Sequence, residues 1–328
     1  MFIALKEIRA ARGRVALMSG VVGLITLLLI MLTGLTGGLS AQHISAMEAL
    51  SPQTVGFSTP EPSFTQSEIT VQDNAEGVPL GVAQTRLGEG DTAVSVAIFG
   101  LPEGAETPVG GIRPDQVLVS ASAAEKADLR EGDTVRLGGI DTQVGAIVPD
   151  LHYSHVPVVW GPTELWRQVT RAPQDAVGTV VLDDAAGVPL RQALSGLPAY
   201  SSERGSLLTM QALLYAISAL VTIAFLSVWT IQRTRDLSIL RALGASRSYL
   251  LRDSLAQAGL LLIIGAAAGA VAGAGLGTLA AQSVPFAMSA ITVLVPAAGI
   301  WALGMAGAFL ATRRVAAIDP LQALGGNA

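Results

Sequence analysis

The chain contains no cysteine. Disulfides, thiolate zinc sites and thiol nucleophiles are thereby excluded. Charge is also scarce: Asp, Glu, Lys and Arg make up 14% of the residues, against 51% hydrophobic. Soluble domains carry about 25% charged residues, so this composition points to a membrane protein. No G-x-x-x-x-G-K-[ST] occurs, so the chain is not an ATPase by that route. No G-x-S-x-G stands at a strand-to-helix turn, which removes the common hydrolase elbow. Basic residues are not interleaved with aromatics, so nucleic acid is not an expected partner. No enzymatic activity and no intrinsic cofactor are expected.

The chain does have long apolar runs. Val15–Leu39, Leu207–Ile231, Ser254–Ala281 and Ala287–Thr312 are each long enough to cross roughly 30 Å of hydrocarbon. Pro296 is expected to bend the last of them. Lys6, Arg9, Arg12 and Arg14 precede the first run, and Arg313 and Arg314 follow the last. Basic residues at span ends mark the cytoplasmic side, so both termini are expected inside a plasma membrane. Residues 1–14 read as an amphipathic helix on the inner leaflet, with Ala4, Leu5, Ile8 and Ala11 on one face. The net charge of -5 hides this segregation, because most of the acids fall between residues 48 and 203.

That middle region is a different object. Gly, Pro and Asp punctuate short β-prone runs at Val94–Phe99, Val117–Val119, Val135–Leu137, Gln143–Val148, Val156–Trp160 and Val177–Leu182. Ala121–Leu129 has helical character. The fold class expected is an α-helical membrane protein with four transmembrane helices and an inserted extracytoplasmic α+β domain. The divisions are 15–44 for the first span and its stalk, 45–203 for the inserted domain and 204–231 for the second span. A cytoplasmic loop at 232–252 follows, then spans at 253–281 and 287–312 and a tail at 313–328.

The loop Gln232–Arg252 carries Arg233, Arg235, Arg241, Arg247 and Arg252 against one acid, Asp236. Leu237, Leu240 and Leu243 recur at helical spacing, Gly244 can end the helix and Ser246 can cap the next. An amphipathic helix between two spans is predicted. The run Arg235-Asp236-Leu237-Ser238-Ile239-Leu240-Arg241-Ala242-Leu243-Gly244-Ala245-Ser246 resembles the signature loop of FtsX-like and MacB-like (type VII) ABC transporter permeases. Asp236 stands where Glu is usual there. The tail Ala317–Leu324 is similar to that family's closing P-x-E-A-L segment, with Gln322 where Glu is common. Leu129–Val135 is similar to the GD-x-V turn of MacB-like extracytoplasmic domains.

The resemblance implies a permease subunit of an efflux transporter, working as a homodimer with two copies of a separate ABC ATPase. Arg235, Asp236, Leu237, Leu240, Arg241 and Gly244 would then dock on that ATPase. Family cargo includes haem, peptides, antibiotics and lipoproteins. The compact four-span form resembles the haem-efflux permeases most. A different class stays open: FtsX-type members transport nothing and transmit ATPase motion to a cell-wall hydrolase.

Two further patterns come from the residues themselves. Gly265, Gly269, Gly273 and Gly277 repeat every four residues in the third span, a face that lets another helix approach, in a bundle or a dimer. His43, Met47 and Glu48 follow the first span, with Met31 deeper in it. Imidazole and thioether are haem-iron ligands, so these four are candidate ligands for haem as a transported compound. Leu39, Ile44 and Phe57 are the expected apolar cover. His152 and His155 read as a polar loop, since two His without a nearby carboxylate make a poor metal site.

Overall fold

The computed structural model describes residues 12–73, 76–232 and 246–315. They form two compact units. Residues 12–38, 206–232 and 246–315 belong to one unit, and 39–73 and 76–205 to the other.

The first unit is helical. Helix α1 runs Arg12–Leu50. After the inserted unit come α5 (Pro198–Gln232), α6 (Arg247–Ala280) and α7 (Ala290–Val315). All four helices are long and apolar enough to cross a membrane. The caps follow from sequence. Ser246 Oγ accepts the Tyr249 N–H at 3.2 Å and starts α6. Ser289 Oγ accepts the Thr292 N–H at 3.1 Å and starts α7, three residues after the apolar run begins. Pro296 stands inside α7, which continues through it as one helix.

Small residues set the packing of this unit. A Cβ added at Gly265 would stand 2.7 Å from the Ser19 carbonyl oxygen. At Gly269 it would stand 2.3 Å from that of Gly23, and at Gly273 3.0 Å from the Ile30 side chain. The glycine face of α6 therefore receives α1 of the same chain, a bundle contact. Gly277 instead leaves room for Phe286 and Met288 of the α6–α7 turn. That turn is pinned where Ala287 N–H donates to the Gly34 carbonyl at 2.9 Å. Polar groups add bonds between helices: Gln211 Nε2 donates to Thr33 and Thr36 of α1 at 3.4 Å each.

The second unit is a mixed β-sheet with helices. Strands β1 (Thr54–Gly56), β2 (Ile69–Thr70), β3 (Val78–Leu87) and β4 (Val94–Leu101) come first. Then follow β5 (Glu106–Thr107), β6 (Gly110–Gly111), β7 (Gln116–Ser120), β8 (Thr134–Leu137), β9 (Ile140–Val148), β10 (His152–Tyr153) and β11 (Val156–Pro162). Last are β12 (Ala176–Gly178), β13 (Val180–Leu182) and β14 (Val188–Pro189). Helices α2 (Ala121–Lys126) and α3 (Thr163–Thr170) lie between them, and α4 (Leu190–Ala193) follows β14. The large sheet runs β10-β11-β7-β9-β8-β3-β13-β1-β14, and β4 pairs with β11 and β3.

Alternation along the strands builds two cores. Ala97, Phe99 and Leu101 of β4 pack with Trp160, Tyr153 and Phe64 on one face. Val96 and Ile98 pack with Leu137, Val159 and Trp166 on the other. Gly81 and Gly100 face each other across β3 and β4, and Trp166 lies against both. A Cβ at either would come within 2.4 Å of that side chain. The first core reaches back into the end of α1, where Ile44, Ala46 and Met47 are buried with Leu194, Leu197 and Tyr200. This is why the unit begins at Leu39, inside a helix.

The predicted strands at Val94, Val117, Val135, Gln143 and Val156 are present, each a little longer than its apolar run. Val177–Leu182 is divided into β12 and β13 at Thr179, whose Oγ1 accepts the Val82 N–H at 2.9 Å. The GD-x-V segment forms a tight turn. Gly132 has φ +91°, and Asp133 Oδ2 accepts the Arg130 N–H at 2.8 Å.

Candidate functional site

The last turns of α1 are stitched to the β10–β11 hairpin. The hairpin pairs Tyr153 with Val156, leaving the two-residue turn Ser154-His155. Both turn residues have positive φ, 48° and 68°. Such turns prefer Asn and Gly because a Cβ is crowded there. Here the turn is fixed from outside. Ser154 N–H donates to the His43 carbonyl at 3.0 Å, and His155 N–H to that of Gln42 at 2.9 Å. Ser45 Oγ accepts the His152 N–H at 2.8 Å.

These bonds bring His155 onto His43, with ring centroids 3.9 Å apart. The first turns of α5 supply Glu203. Its Oε2 lies 2.6 Å from His43 Nε2 and 3.6 Å from His155 Nε2. Gln42 Oε1 stands 3.3 Å from His155 Nδ1. The Tyr200 ring meets His43 edge-on at 5.7 Å. His43 is 1% exposed, while His155 and Glu203 keep 44% and 33% of their side chains open. His43 Nδ1 is buried without a hydrogen-bond partner. His152 stays outside this group. Burial holds its pKa below the ordinary value, and Lys126 and His155 push the same way against the opposing Asp150. Burial alone pushes the Tyr153 phenol well up.

The structure places the four candidate haem ligands differently from one another. His43 and Met47, four residues apart, do share a face, but it is the face packed into the core: Met47 is fully buried. Ile44, expected to cover a cargo, is buried with them. Glu48 is exposed outside that face, Phe57 is half-buried, and Met31 belongs to the helical unit, where it is half-buried. Sequence reasoning missed Glu203. The argument that His155 has no carboxylate near it fails in three dimensions, because Glu203 arrives from another helix. Arg235, Asp236, Leu237, Leu240, Arg241 and Gly244, the residues expected to couple to an ATPase, lie outside the described residues.

Residues 208–320 match the model of the FtsX-like permease C-terminal domain. They take in all of α6 and α7 and α5 from Leu208 onward, with the arginine-rich loop between α5 and α6. The chain carries an FtsX-like permease domain. Relatives extend the likeness to the whole chain. An uncharacterized ABC transporter permease of Mycobacterium tuberculosis is 25% identical over 99% of both chains. The putative hemin transport system permease protein HrtB of Staphylococcus epidermidis is 24% identical over 100% of both. HrtB of Staphylococcus haemolyticus is 25% identical over 99% of both. Among solved structures, the extracellular domain of the noncanonical ABC-type transporter YknZ from Gram-positive bacteria matches at 13% identity. It covers 44% of this chain and 87% of its own, with a TM-score of 0.28. The matched residues begin after the β-rich unit, which lies between α1 and α5.

Proposed function

We propose that the chain is the membrane subunit of an ABC-type efflux transporter that moves haem, or another hydrophobic compound, out of the membrane. The observation that supports this most is the FtsX-like domain, within a chain that aligns end to end with permeases named for hemin transport. The chain has no nucleotide-binding loop, so a separate ATPase supplies the energy, two copies acting on a homodimer. Its docking segment is the arginine-rich loop. Leu240→Asp puts an unpaired charge on the apolar face of that loop, which costs several kcal/mol if the face is covered. The ATPase subunit should co-purify with the wild type and not with this variant. Equal recovery of the ATPase with both would show that this face does not dock.

For cargo, Glu48 and Met31 are the first candidate ligands, because neither is committed to the core. His43 and Met47 follow, since haem ligation would require the end of α1 to leave its packing. Haemin added to the full chain in detergent should produce a Soret band shifted from that of free haemin. Glu48→Ala and Met31→Ala should shift or weaken that band. Absence of any such band in the wild type would overturn the haem reading. An unchanged band in all four alanine variants would move the site elsewhere.

A further inference from the structure

The geometry points to a binding site for a first-row divalent transition cation of the zinc class, formed by His43, His155 and Glu203. It goes beyond the transport reading and does not depend on it. Among the described residues, these three bring one ligand atom each to within 4.8 Å of one another. Donors about 2.0–2.2 Å from a tetrahedral zinc ion lie roughly 3.3–3.6 Å apart. His155 Nε2 and Glu203 Oε2 stand 3.6 Å apart already. His43 Nε2 and Glu203 Oε2, at 2.6 Å, share a proton. The ion takes that proton's place, the proton leaves to solvent, and the two atoms part by up to about one ångström.

The chemistry of the donors selects the ion. Two imidazoles and one carboxylate suit zinc, copper, nickel and iron, whereas calcium and magnesium want oxygen. With three protein donors, a fourth position is left for water, and Glu203 and His155 are exposed enough to admit it. The surroundings orient the ligands. Gln42 Oε1 near His155 Nδ1 leaves Nε2 of that ring facing the carboxylate, as an outer partner of a metal-bound histidine does. His43 is held by packing against Tyr200. Arg204, next to Glu203, is engaged over the Tyr200 ring at 5.9 Å.

The three ligands come from the end of α1, the tip of the β10–β11 hairpin and the start of α5. A bound ion would tie these three segments of the inserted unit to one another at one point. A macrocycle does not fit a site whose central ligand is 1% exposed, whereas a bare ion does.

The test uses the full chain in detergent, free of any affinity tag and stripped with a chelator. Titration with Co2+ should give visible bands of tetrahedral intensity that saturate at one ion per chain, and Zn2+ should displace them. His155→Ala and Glu203→Gln remove partly exposed ligands and leave the core intact. Each should weaken binding by more than the roughly 10–100-fold that loss of an outer partner costs. Zn2+ should raise the melting temperature of the wild type and not of either variant. Failure of the wild type to bind one ion per chain overturns the proposal, as does wild-type affinity in either variant. Haemin binding is read separately in the Soret band, so failure here leaves the transport reading standing.

Discussion

Gly269→Leu should abolish recovery of the folded chain from detergent, whereas Gly275→Leu should be tolerated. Both glycines lie in α6, six residues apart. They differ in what a side chain would meet. At Gly269 an added Cβ stands 2.3 Å from the Gly23 carbonyl oxygen and 2.8 Å from Thr26 Cβ. The obstacle is the backbone of α1, which cannot turn aside as a side chain can. The two helices would have to separate along their length. Overpacking costs about 1–3 kcal/mol when side chains can adjust, and more when backbone must move. In lipid there is no water to expel, so close van der Waals packing carries much of the association, and its loss is not offset. At Gly275 nothing lies within 4 Å. Size-exclusion profiles and melting of the two variants in detergent decide this. Matching behaviour would mean that α1 and α6 do not pack along this face.

Trp160→Ala should destabilise the inserted unit by about 3–5 kcal/mol, the range for emptying a large aromatic site. Trp160 is fully buried and packs edge-on against Phe99, with ring centroids 5.1 Å apart. Phe99 contacts Tyr153, and Tyr153 contacts Phe64, so one aromatic chain crosses this core. Whole domains are stable by about 5–15 kcal/mol, so the alanine variant should melt far earlier or fail to fold. Trp160→Phe should cost much less. It keeps most of the ring and removes an indole N–H that is buried without a partner, a group whose burial costs about 1–3 kcal/mol. Thermal melting followed by β-sheet circular dichroism separates the two. An alanine variant as stable as the phenylalanine variant would show that the aromatic chain does not hold this core.

Much of the membrane unit was legible in the sequence because hydrocarbon imposes one local rule. Every backbone group must be satisfied within its own helix, so a span has to be a long apolar run. Val15–Leu39 and the three later runs satisfy that rule residue by residue. The glycines of the third run showed that something approaches closely, since spacing by four places them on one face. That the neighbour is α1 of the same chain was not legible, because four-residue spacing does not name a partner.

The inserted unit was legible only in part. Val94–Phe99 and Val156–Trp160 are β-branched and aromatic, and they are strands. Strand β3, which joins β4, β8 and β13, was missed. Its Pro79 and Gly81 are residues that argue against a strand. Pro79 sits near the beginning of the strand, and Gly81 is needed where Trp166 covers the sheet. Local propensity opposed the strand, and tertiary packing overrode it.

The sequence by itself determined that this chain is built around four membrane-length helices with a β-rich insertion, and it carried the permease-like loop. Those properties are contiguous: each is written in a run of neighbouring residues, through hydropathy, spacing or a motif. Only the tertiary structure decided which way the end of α1 faces, and so that His43 and Met47 enter a core while Glu48 stays outside. It alone brought Glu203 to His43 across 160 positions, with His155 delivered by a strained hairpin turn. A contact between residues so far apart depends on how the helices and the sheet pack, and no local periodicity encodes that.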